Sequence, residues 1–146
     1  MRHLNQHNFM NDCIFCKILN KEVPSYPVFE NDHVLAFLDI FGATNGHVLV
    51  IHKRHEEKIT RYTETELGAI FGAVAEVSGA LERAFETTIL SIGINHGEPE
   101  GVPHMHVHIM PRFRGDGGGI IQSLPGKKLE NKDFGEVAKK IIGNLK

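Results

Sequence analysis

The sequence predicts an α+β fold with a mainly antiparallel five-stranded sheet, a long central helix and a C-terminal helix. Five short apolar stretches have the length and composition of strands. Two longer segments repeat apolar residues at helical spacing. The strands come before and after one long helix instead of alternating with helices, and this order favours an α+β over a parallel α/β architecture.

The strands are expected in chain order at residues 26–30, 34–38, 48–52, 89–95 and 104–110. Asn31, Asp32 and His33 separate the first two strands and are typical of a tight hairpin turn. The third strand lies in HVLVIH, a nearly continuous apolar run with β-branched residues. Such a run indicates a central strand that is buried on both faces.

The central helix is predicted by an apolar stripe at i, i+3, i+4, i+7 spacing over residues 67–85. Thr63, with Glu66 three residues later, forms a capping-box signature at its start. A second stripe over residues 134–145 predicts the C-terminal helix. We expect both stripes to belong to the core.

Composition is ordinary for a globular protein, with 41% apolar and 23% charged residues among 146. The net charge of −2 provides no basic field for nucleic acid or membrane. We expect residues 1–10 to be a disordered extension and residues 11–146 to form one domain, with its core in 12–115 and a C-terminal extension in 116–146.

The polar N-terminal stretch lacks the apolar middle of a signal peptide, and no run approaches the length of a membrane span. A cytoplasmic, reducing location is therefore expected. Cys13 and Cys16 are the two cysteines of the chain. In a reducing compartment this C-x-x-C pair favours a redox-active or metal-bound role over a structural disulfide.

The stretch HMHVHIMPR, residues 104–112, carries histidine at every second position. In a strand, His104, His106 and His108 would share one face at a spacing of about 6.5 to 7 Å. Three interpretations are open at this point: a solvated strand face, a metal site, or direct chemistry. In the last, a backbone carbonyl would hold Nδ1–H of a neutral imidazole, so that Nε2 offers a lone pair to an electrophile.

The stretch HMHVHIM fits the pattern His-φ-His-φ-His-φ-φ, where φ is an apolar residue. This is the signature of the histidine triad (HIT) family of nucleotide hydrolases and transferases, which the chain resembles. CIFCKI, FLDI at 37–40, GHVLVIHKRH at 46–55, Asn95 with Gly97, and Pro111-Arg112 are similar to other blocks of that family, in the same order. The resemblance covers about residues 12–115 and implies a HIT-like fold.

The resemblance implies a role for each matching residue. His106 would attack the α-phosphorus of a bound nucleotide, and His108 and His47 would contact the α-phosphate. Asp39 would accept hydrogen bonds from the ribose hydroxyls, and Asn95 would contact the phosphate. Without the resemblance, Asp39 would be a turn residue. The residues that match the family's apolar base pocket are Ile14, Phe15, Ile18, Phe37 and Ile40. Without the resemblance, they would be interpreted as core residues.

The resemblance also implies a metal site, because some family members carry the C-x-x-C pair. The implied ligand set is Cys13, Cys16, His55 and His104, a closed tetrahedral Cys₂His₂ site for a structural zinc ion. His52 stands where the family usually has proline. We expect His52 to lie on the surface, and it is the best alternative fourth ligand.

One segment departs from the family. Most members place Gly-Gln-Ser or Gly-Gln-Thr shortly before the triad, and its hydroxyl and N–H groups contact the phosphate or the leaving group. Here NHGEPEGVPHMHVH is about two residues shorter, and Pro103 has no N–H to donate. His96 or water are the candidates to protonate the leaving group instead.

The resemblance implies a homodimeric hydrolase of a nucleoside α-phosphate bond, with dinucleoside polyphosphates or nucleoside phosphoramidates as substrates, purine nucleotides among them. The tail PRFRGDGG favours the polyphosphate class. Two alternatives stay open. One is a metal-dependent hydrolase in which His104 and His106 hold a catalytic zinc ion. The other is a nucleotide-binding module with little catalysis.

Overall fold

A five-stranded antiparallel sheet organises the chain as far as Asp116, in the spatial order β1-β2-β3-β5-β4. The computed structural model describes residues 12–99, 101–126 and 133–146, and the predicted extension at residues 1–10 lies outside them. The strands are β1 (Pro27–Glu30), β2 (Val34–Leu38), β3 (Val48–His52), β4 (Ile89–Gly93) and β5 (His106–Arg112). The predicted fold class is therefore confirmed, and β2 and β3 have the predicted bounds.

The described helices are α1 (Ile14–Leu19), α2 (Glu64–Phe85) and α3 (Phe134–Ile142), with short 3-10 turns at Ile59–Arg61 and Ile121–Ser123. The predicted capping box of α2 is confirmed. The Glu66 N–H donates to Thr63 Oγ1 at 3.2 Å, and the Glu66 carboxylate accepts the Thr63 N–H at 2.8 Å. Helix α1, which the sequence did not predict, begins directly after Cys13 and carries Cys16.

Helices cover both faces of the sheet, and this explains the continuous apolar run of β3. On one face, α2 packs over Val50, Val107 and Ile109. On the other, residues of α1 pack with Leu49 and Ile51. All five residues of β3 are buried, as expected for a central strand between β2 and β5.

Strand β5 begins two residues later than predicted, because the backbone before His106 bonds elsewhere. The His104 N–H donates to the Val102 carbonyl at 2.8 Å, which closes a tight turn. The Met105 N–H donates to the Glu56 carbonyl at 2.7 Å instead of to a neighbouring strand. The segment that follows β3 is thereby tied to the residue next to His106.

Residues 117–146 form a separate compact unit that contains the second 3-10 turn and α3. Asp133 caps α3 by accepting the Glu136 N–H at 3.1 Å. The sequence predicts that the apolar stripe of this helix belongs to the core. That prediction is wrong, since Phe134 and Ile142 are each 65% exposed and no residue of the helix is buried.

In the parts of the chain that the structure describes, no helix combines the length and the hydropathy that crossing a membrane would require.

Candidate active site

Strand β5 presents His106 and His108 on one face of the sheet. The intervening Val107 and Ile109 are fully buried on the other face against α2. The two histidines pair with Ile51 and Leu49 of β3, so they share the face that α1 covers. The predicted two-residue periodicity therefore holds for these two histidines, whereas His104 lies before the strand.

The ring of His106 is oriented by a backbone carbonyl. Nδ1 of His106 lies 2.7 Å from the carbonyl oxygen of His104. A carbonyl can only accept a hydrogen bond, so Nδ1 carries a proton, and in the neutral ring Nε2 then keeps its lone pair. The Phe15 ring packs edge-on against the imidazole, with ring centroids 5.0 Å apart. These contacts fix His106 in the tautomer that a histidine nucleophile needs.

A second chain of hydrogen bonds fixes the tautomers of His47 and His108. The Ala43 N–H donates to Nδ1 of His47 at 2.9 Å, so the His47 proton is on Nε2. His47 Nε2 lies 2.8 Å from Nδ1 of His108 and donates to it. The proton of His108 is therefore on Nε2, which is buried and has no hydrogen-bond partner among the described residues. An N–H group in this state is ready to bind an oxyanion.

Both of these histidines are neutral at pH 7. Burial, together with the neighbouring His106 and His47, lowers the pKa of His108 to about 4, although Asp39 works in the opposite direction. Burial also lowers the pKa of His47, although Asp39 works in the opposite direction. The pair therefore offers N–H dipoles rather than a full positive charge.

Asp39 lines a cavity of about 420 Å³, whose other lining residues are Leu38, Ile40 and residues 42–47. Its Oδ1 accepts the Phe41 N–H at 2.9 Å, and its Oδ2 is 3.8 Å from His47 Nδ1. Gly46, with φ of +84°, packs so closely on the Phe85 ring that a side chain would not fit. This packing fixes the loop that carries both Asp39 and His47.

The structure brings only part of the predicted apolar pocket together, since Ile18 packs with Phe15 and Phe37. Phe15 and Phe37 are buried in the core cluster under α1, with ring centroids 5.4 Å apart. Ile14 and Ile40 are exposed, and Ile18 is half-buried. Ile40 is the one member that lines the cavity beside Asp39 in the described part of the chain. The base-binding role of this set stays a prediction.

Asn95 is exposed two residues after the end of β4 and lines a different cavity together with His106. This cavity has a volume of about 430 Å³. Its phosphate-binding role also stays a prediction, but the structure does bring Asn95 to the same cavity as the predicted nucleophile.

Cys13, Cys16, His55 and His104 form one cluster, as the sequence predicts. Their four ligand atoms lie within 4.8 Å of one another, and neither cysteine forms a disulfide. His104 Nδ1 is 3.7 Å from each sulfur, and His55 Nδ1 is 3.3 Å from Sγ of Cys16. Sulfur and nitrogen ligands of a tetrahedral zinc ion are about 3.6 Å apart, so the cluster fits that ion.

The chemistry of the donors agrees with this fit. Nε2 of His104 donates to the His52 carbonyl at 2.8 Å, which leaves the Nδ1 lone pair directed at the two sulfurs. Burial lowers the pKa of His104 to about 4 and keeps the ring neutral. Burial, with the neighbouring Cys13, raises the pKa of the Cys16 thiol. Thiolates in this buried place need a cation beside them.

His52 corrects the sequence interpretation. The expected surface position is wrong, because His52 is buried between His33 and Tyr62, and its Nδ1 accepts the Arg54 N–H at 2.8 Å. It is also outside the metal-ligand cluster, to which it contributes only its carbonyl through His104.

Sequence reasoning missed three features of the site: the Ala43 N–H that sets the tautomer of His47, the Phe15 ring against His106, and the support behind His55. In that support, Arg54 donates two hydrogen bonds to the Glu66 carboxylate, at 2.6 and 2.8 Å. These bonds, together with the hydrogen bonds from Thr63, lower the pKa of the Glu66 carboxyl to about 2. None of the three has a sequence motif of its own: the first depends on the conformation of one loop, and the other two depend on tertiary packing.

Comparisons with known proteins agree with this geometry. The sequence model of the HIT domain matches residues 20–115. Protein hit of Bacillus subtilis (strain 168) is 39% identical over 137 residues, which are 92% of this chain and 94% of that protein. The adenosine 5'-monophosphoramidase HNT1 of Saccharomyces cerevisiae is 29% identical over 91% of this chain and 82% of that protein. The crystal structure of a HIT family member from Bacillus subtilis superposes with a TM-score of 0.80, at 38% identity, covering 92% of this chain and 98% of that one.

The lowered pKa of His108 predicts a specific dependence of stability on pH. The unfolded chain binds a proton at His108 near pH 6.5, whereas the folded chain does so only near pH 4. The contribution of His108 to the free energy of unfolding is thus fully present above pH 6.5 and is lost as the pH falls towards 4. The free energy of unfolding, measured with urea, should therefore fall less between pH 7 and pH 4.5 in His108→Gln than in the unaltered chain.

His96→Gln, at an exposed histidine, is the control, and its free energy of unfolding should depend on pH as in the unaltered chain. Equal slopes in all three proteins would contradict the assignment.

Proposed function

The chain belongs to the HIT family, and we propose that it is a nucleotide-binding hydrolase that cleaves its substrate at a nucleoside α-phosphate through a nucleotidyl-histidine intermediate on His106. The observation that carries this proposal is the tautomer of His106, whose Nδ1–H is held by the His104 carbonyl at 2.7 Å. A neutral imidazole held in this way has its Nε2 lone pair free for attack.

In the first step, Nε2 of His106 forms a bond to the α-phosphorus. The bond from phosphorus to the leaving group breaks, and the leaving group takes the electron pair and then a proton. In the second step, water attacks the same phosphorus. The N–P bond breaks, its electron pair returns to Nε2, and the water proton goes to solvent. The products are a nucleoside monophosphate and the protonated leaving group.

Negative charge on the phosphoryl oxygens rises in both steps, and His108 is suited to stabilise it. Its buried Nε2–H lacks a partner in the described residues and lies on the same sheet face as His106, with ring centroids 4.9 Å apart. His47 supports His108 from behind through the 2.8 Å hydrogen bond between their rings.

We assign the nucleoside to the cavity beside Asp39. The Asp39 Oδ2 atom is the acceptor for the vicinal ribose hydroxyls, and Ile40 lines the same cavity. Ile14, Phe15, Ile18 and Phe37 complete the proposed apolar surroundings of a purine base, and Asn95 contacts the phosphate. The proposed substrates are dinucleoside polyphosphates or nucleoside phosphoramidates. A relative of this chain carries the name adenosine 5'-monophosphoramidase, which supports the second class.

The proposed metal is a structural zinc ion held by Cys13, Cys16, His55 and His104. With four protein ligands it would have no open position for water, so it would supply cross-linking of distant segments rather than Lewis-acid chemistry. The site requires both thiols to be reduced, which fits the cytoplasmic location that the sequence predicts.

A metal-dependent hydrolase is the second candidate, and one observation favours it. Ligand atoms of Asp39, His47 and His108 also lie within 4.8 Å of one another. However, His47 already accepts the Ala43 N–H and donates to His108, so a metal ion there would have to replace both hydrogen bonds. The metal-dependent mechanism suggested by the sequence places a catalytic zinc ion between His104 and His106. It is less favoured, because His106 is outside the Cys₂His₂ cluster.

We also propose a homodimer. β4 is an edge strand of the sheet, and its Ile89 and Ile92 side chains are exposed, as is Phe71 of α2. An open strand edge beside exposed apolar residues is suited to pairing with a second copy.

Replacement of the nucleophile tests the proposed function directly. His106→Ala should reduce release of nucleoside monophosphate at least about 1,000-fold, because His108, the neighbouring imidazole on this strand face, carries its proton on Nε2 and cannot replace the nucleophile. Nucleotide binding, measured by calorimetry with the monophosphate product, should change little. Turnover should be followed with diadenosine polyphosphates and with the phosphoramidates of adenosine and guanosine.

His33→Ala is the matched control, because His33 is an exposed histidine in the β1–β2 turn. It should retain the activity of the unaltered chain. Full activity in His106→Ala would overturn the proposed mechanism. Binding without turnover in the unaltered chain would favour the third candidate, a nucleotide-binding module with little catalysis.

Removal of one thiol tests the metal assignment. The purified chain should contain about one zinc ion per molecule, and Cys16→Ser should lose it. The melting temperature should fall in Cys16→Ser and on chelation, since the cluster joins α1 to the segments after β3 and before β5. A catalytic metal would behave differently, because chelation would then abolish turnover without a change in melting temperature.

A further inference from the structure

The cavity beside His106 has no assigned occupant. It has a volume of about 430 Å³ and shares no lining residue with the cavity beside Asp39. One wall is formed by Glu57 and Lys58, after β3, and another by the loop between β4 and β5. In this loop the sequence lacks the glutamine and hydroxyl residues of most family members.

The proposed reaction assigns a role to this cavity, and the inference rests on that function. In an in-line displacement the leaving group departs on the far side of phosphorus from the nucleophile. If the nucleoside occupies the cavity beside Asp39, the separate cavity that His106 lines is available to the leaving group. Asn95 lines it as well, which agrees with its proposed contact to the phosphate.

The described residues that line this cavity include no serine or threonine, so no side-chain hydroxyl there can bind or protonate a leaving group. His96, which the sequence offered as a substitute, is exposed and is not part of the lining. The charged side chains of the described lining are the carboxylates of Glu57 and Glu98 and the ammonium of Lys58. Without Lys58, the charged side chains of the described lining would all be carboxylates.

The backbone at Glu57 and Lys58 is held in a fixed relation to the triad. The Glu56 carbonyl accepts the Met105 N–H at 2.7 Å, and Met105 directly precedes His106. The Glu56 carboxylate accepts the N–H groups of Glu57 and Lys58, at 2.8 and 3.4 Å. The backbone that carries the two side chains is therefore held at a defined place in the wall of the cavity.

We propose that Lys58 is a specificity-determining residue whose ammonium binds the leaving group when that group is a phosphate chain, and that the adjacent Glu57 opposes it. Leaving-group selectivity then depends on the balance of these two charges. A polyanionic leaving group needs Lys58, whereas an uncharged amine does not. Lys58 therefore binds the leaving group in place of the missing hydroxyl-containing segment, but from a different position.

The test compares two substrates with the same adenylyl half, diadenosine triphosphate and an adenosine 5'-alkylphosphoramidate. The measured quantity is the ratio of their kcat/KM values. Lys58→Gln should lower the ratio of triphosphate to phosphoramidate about fivefold to tenfold, as expected for the loss of a partly exposed charged contact. Lys58→Arg should retain the ratio, and Glu57→Gln should raise it.

Lys53→Gln is the matched control. It removes the same charge from a lysine that pairs with Glu30 at 2.8 Å outside this cavity. Its ratio should equal that of the unaltered chain. An equal fall of the ratio in Lys53→Gln would mean that the net charge of the protein, and not the position of Lys58, determines the selectivity. Parallel changes in both kcat/KM values of Lys58→Gln would likewise overturn the proposal.

A binding measurement separates this inference from the proposed function. Calorimetry with inorganic tripolyphosphate needs no turnover, and Lys58→Gln should weaken its binding at least about fivefold. Unchanged binding in Lys58→Gln would overturn the role of Lys58 even in an active enzyme. If the unaltered chain released no monophosphate but bound tripolyphosphate through Lys58, the hydrolase would fail and the anion site would stand.

Discussion

The hydrogen bond from Nδ1 of His106 to the carbonyl of His104 is the interaction on which the rest of the site depends. It joins the predicted nucleophile to a residue that is fully buried and whose own ring is directed at Cys13 and Cys16. The His104 ring is held from the other side by the His52 carbonyl. One residue therefore links the metal cluster to the reacting atom. A metal ion in the cluster would fix the carbonyl that fixes the nucleophile, although it would not touch the substrate.

The site achieves its polarity with neutral groups. His47 and His108 are arranged in series from the Ala43 N–H, so each ring accepts at Nδ1 and carries its proton at Nε2. Burial keeps both rings unprotonated, and so no cation in this pair competes for the lone pair of His106. Oriented dipoles in a buried place can stabilise charge that develops on a phosphoryl group without having to reorganise. The three histidines of the triad differ in their hydrogen-bond partners: a backbone carbonyl holds the ring of His104 and that of His106, whereas the His47 ring holds that of His108.

Local patterns predicted much of the fold, and long-range contacts explain most of the misses. The Thr63–Glu66 cap depends on four consecutive residues, so its sequence signature was sufficient. The alternation through His106 was likewise a local property of one strand. The surface position predicted for His52 was wrong because its burial depends on packing against Tyr62, which lies ten residues further along the chain. Lys58 gave no signal, since its place beside His106 follows from a backbone hydrogen bond across some 50 residues of chain. The ligand cluster was the exception, because the family resemblance supplied the long-range pairing.

The tautomers themselves offer the most direct measurement. In a chain labelled with ¹⁵N in histidine, long-range ¹H–¹⁵N correlation spectra identify which ring nitrogen carries the proton. At pH 7, we expect His106 to be protonated at Nδ1, and His47 and His108 at Nε2, with none of the three rings exchanging freely between forms. A His106 ring that is protonated at Nε2, or that averages between both tautomers, would contradict a nucleophile oriented by the His104 carbonyl.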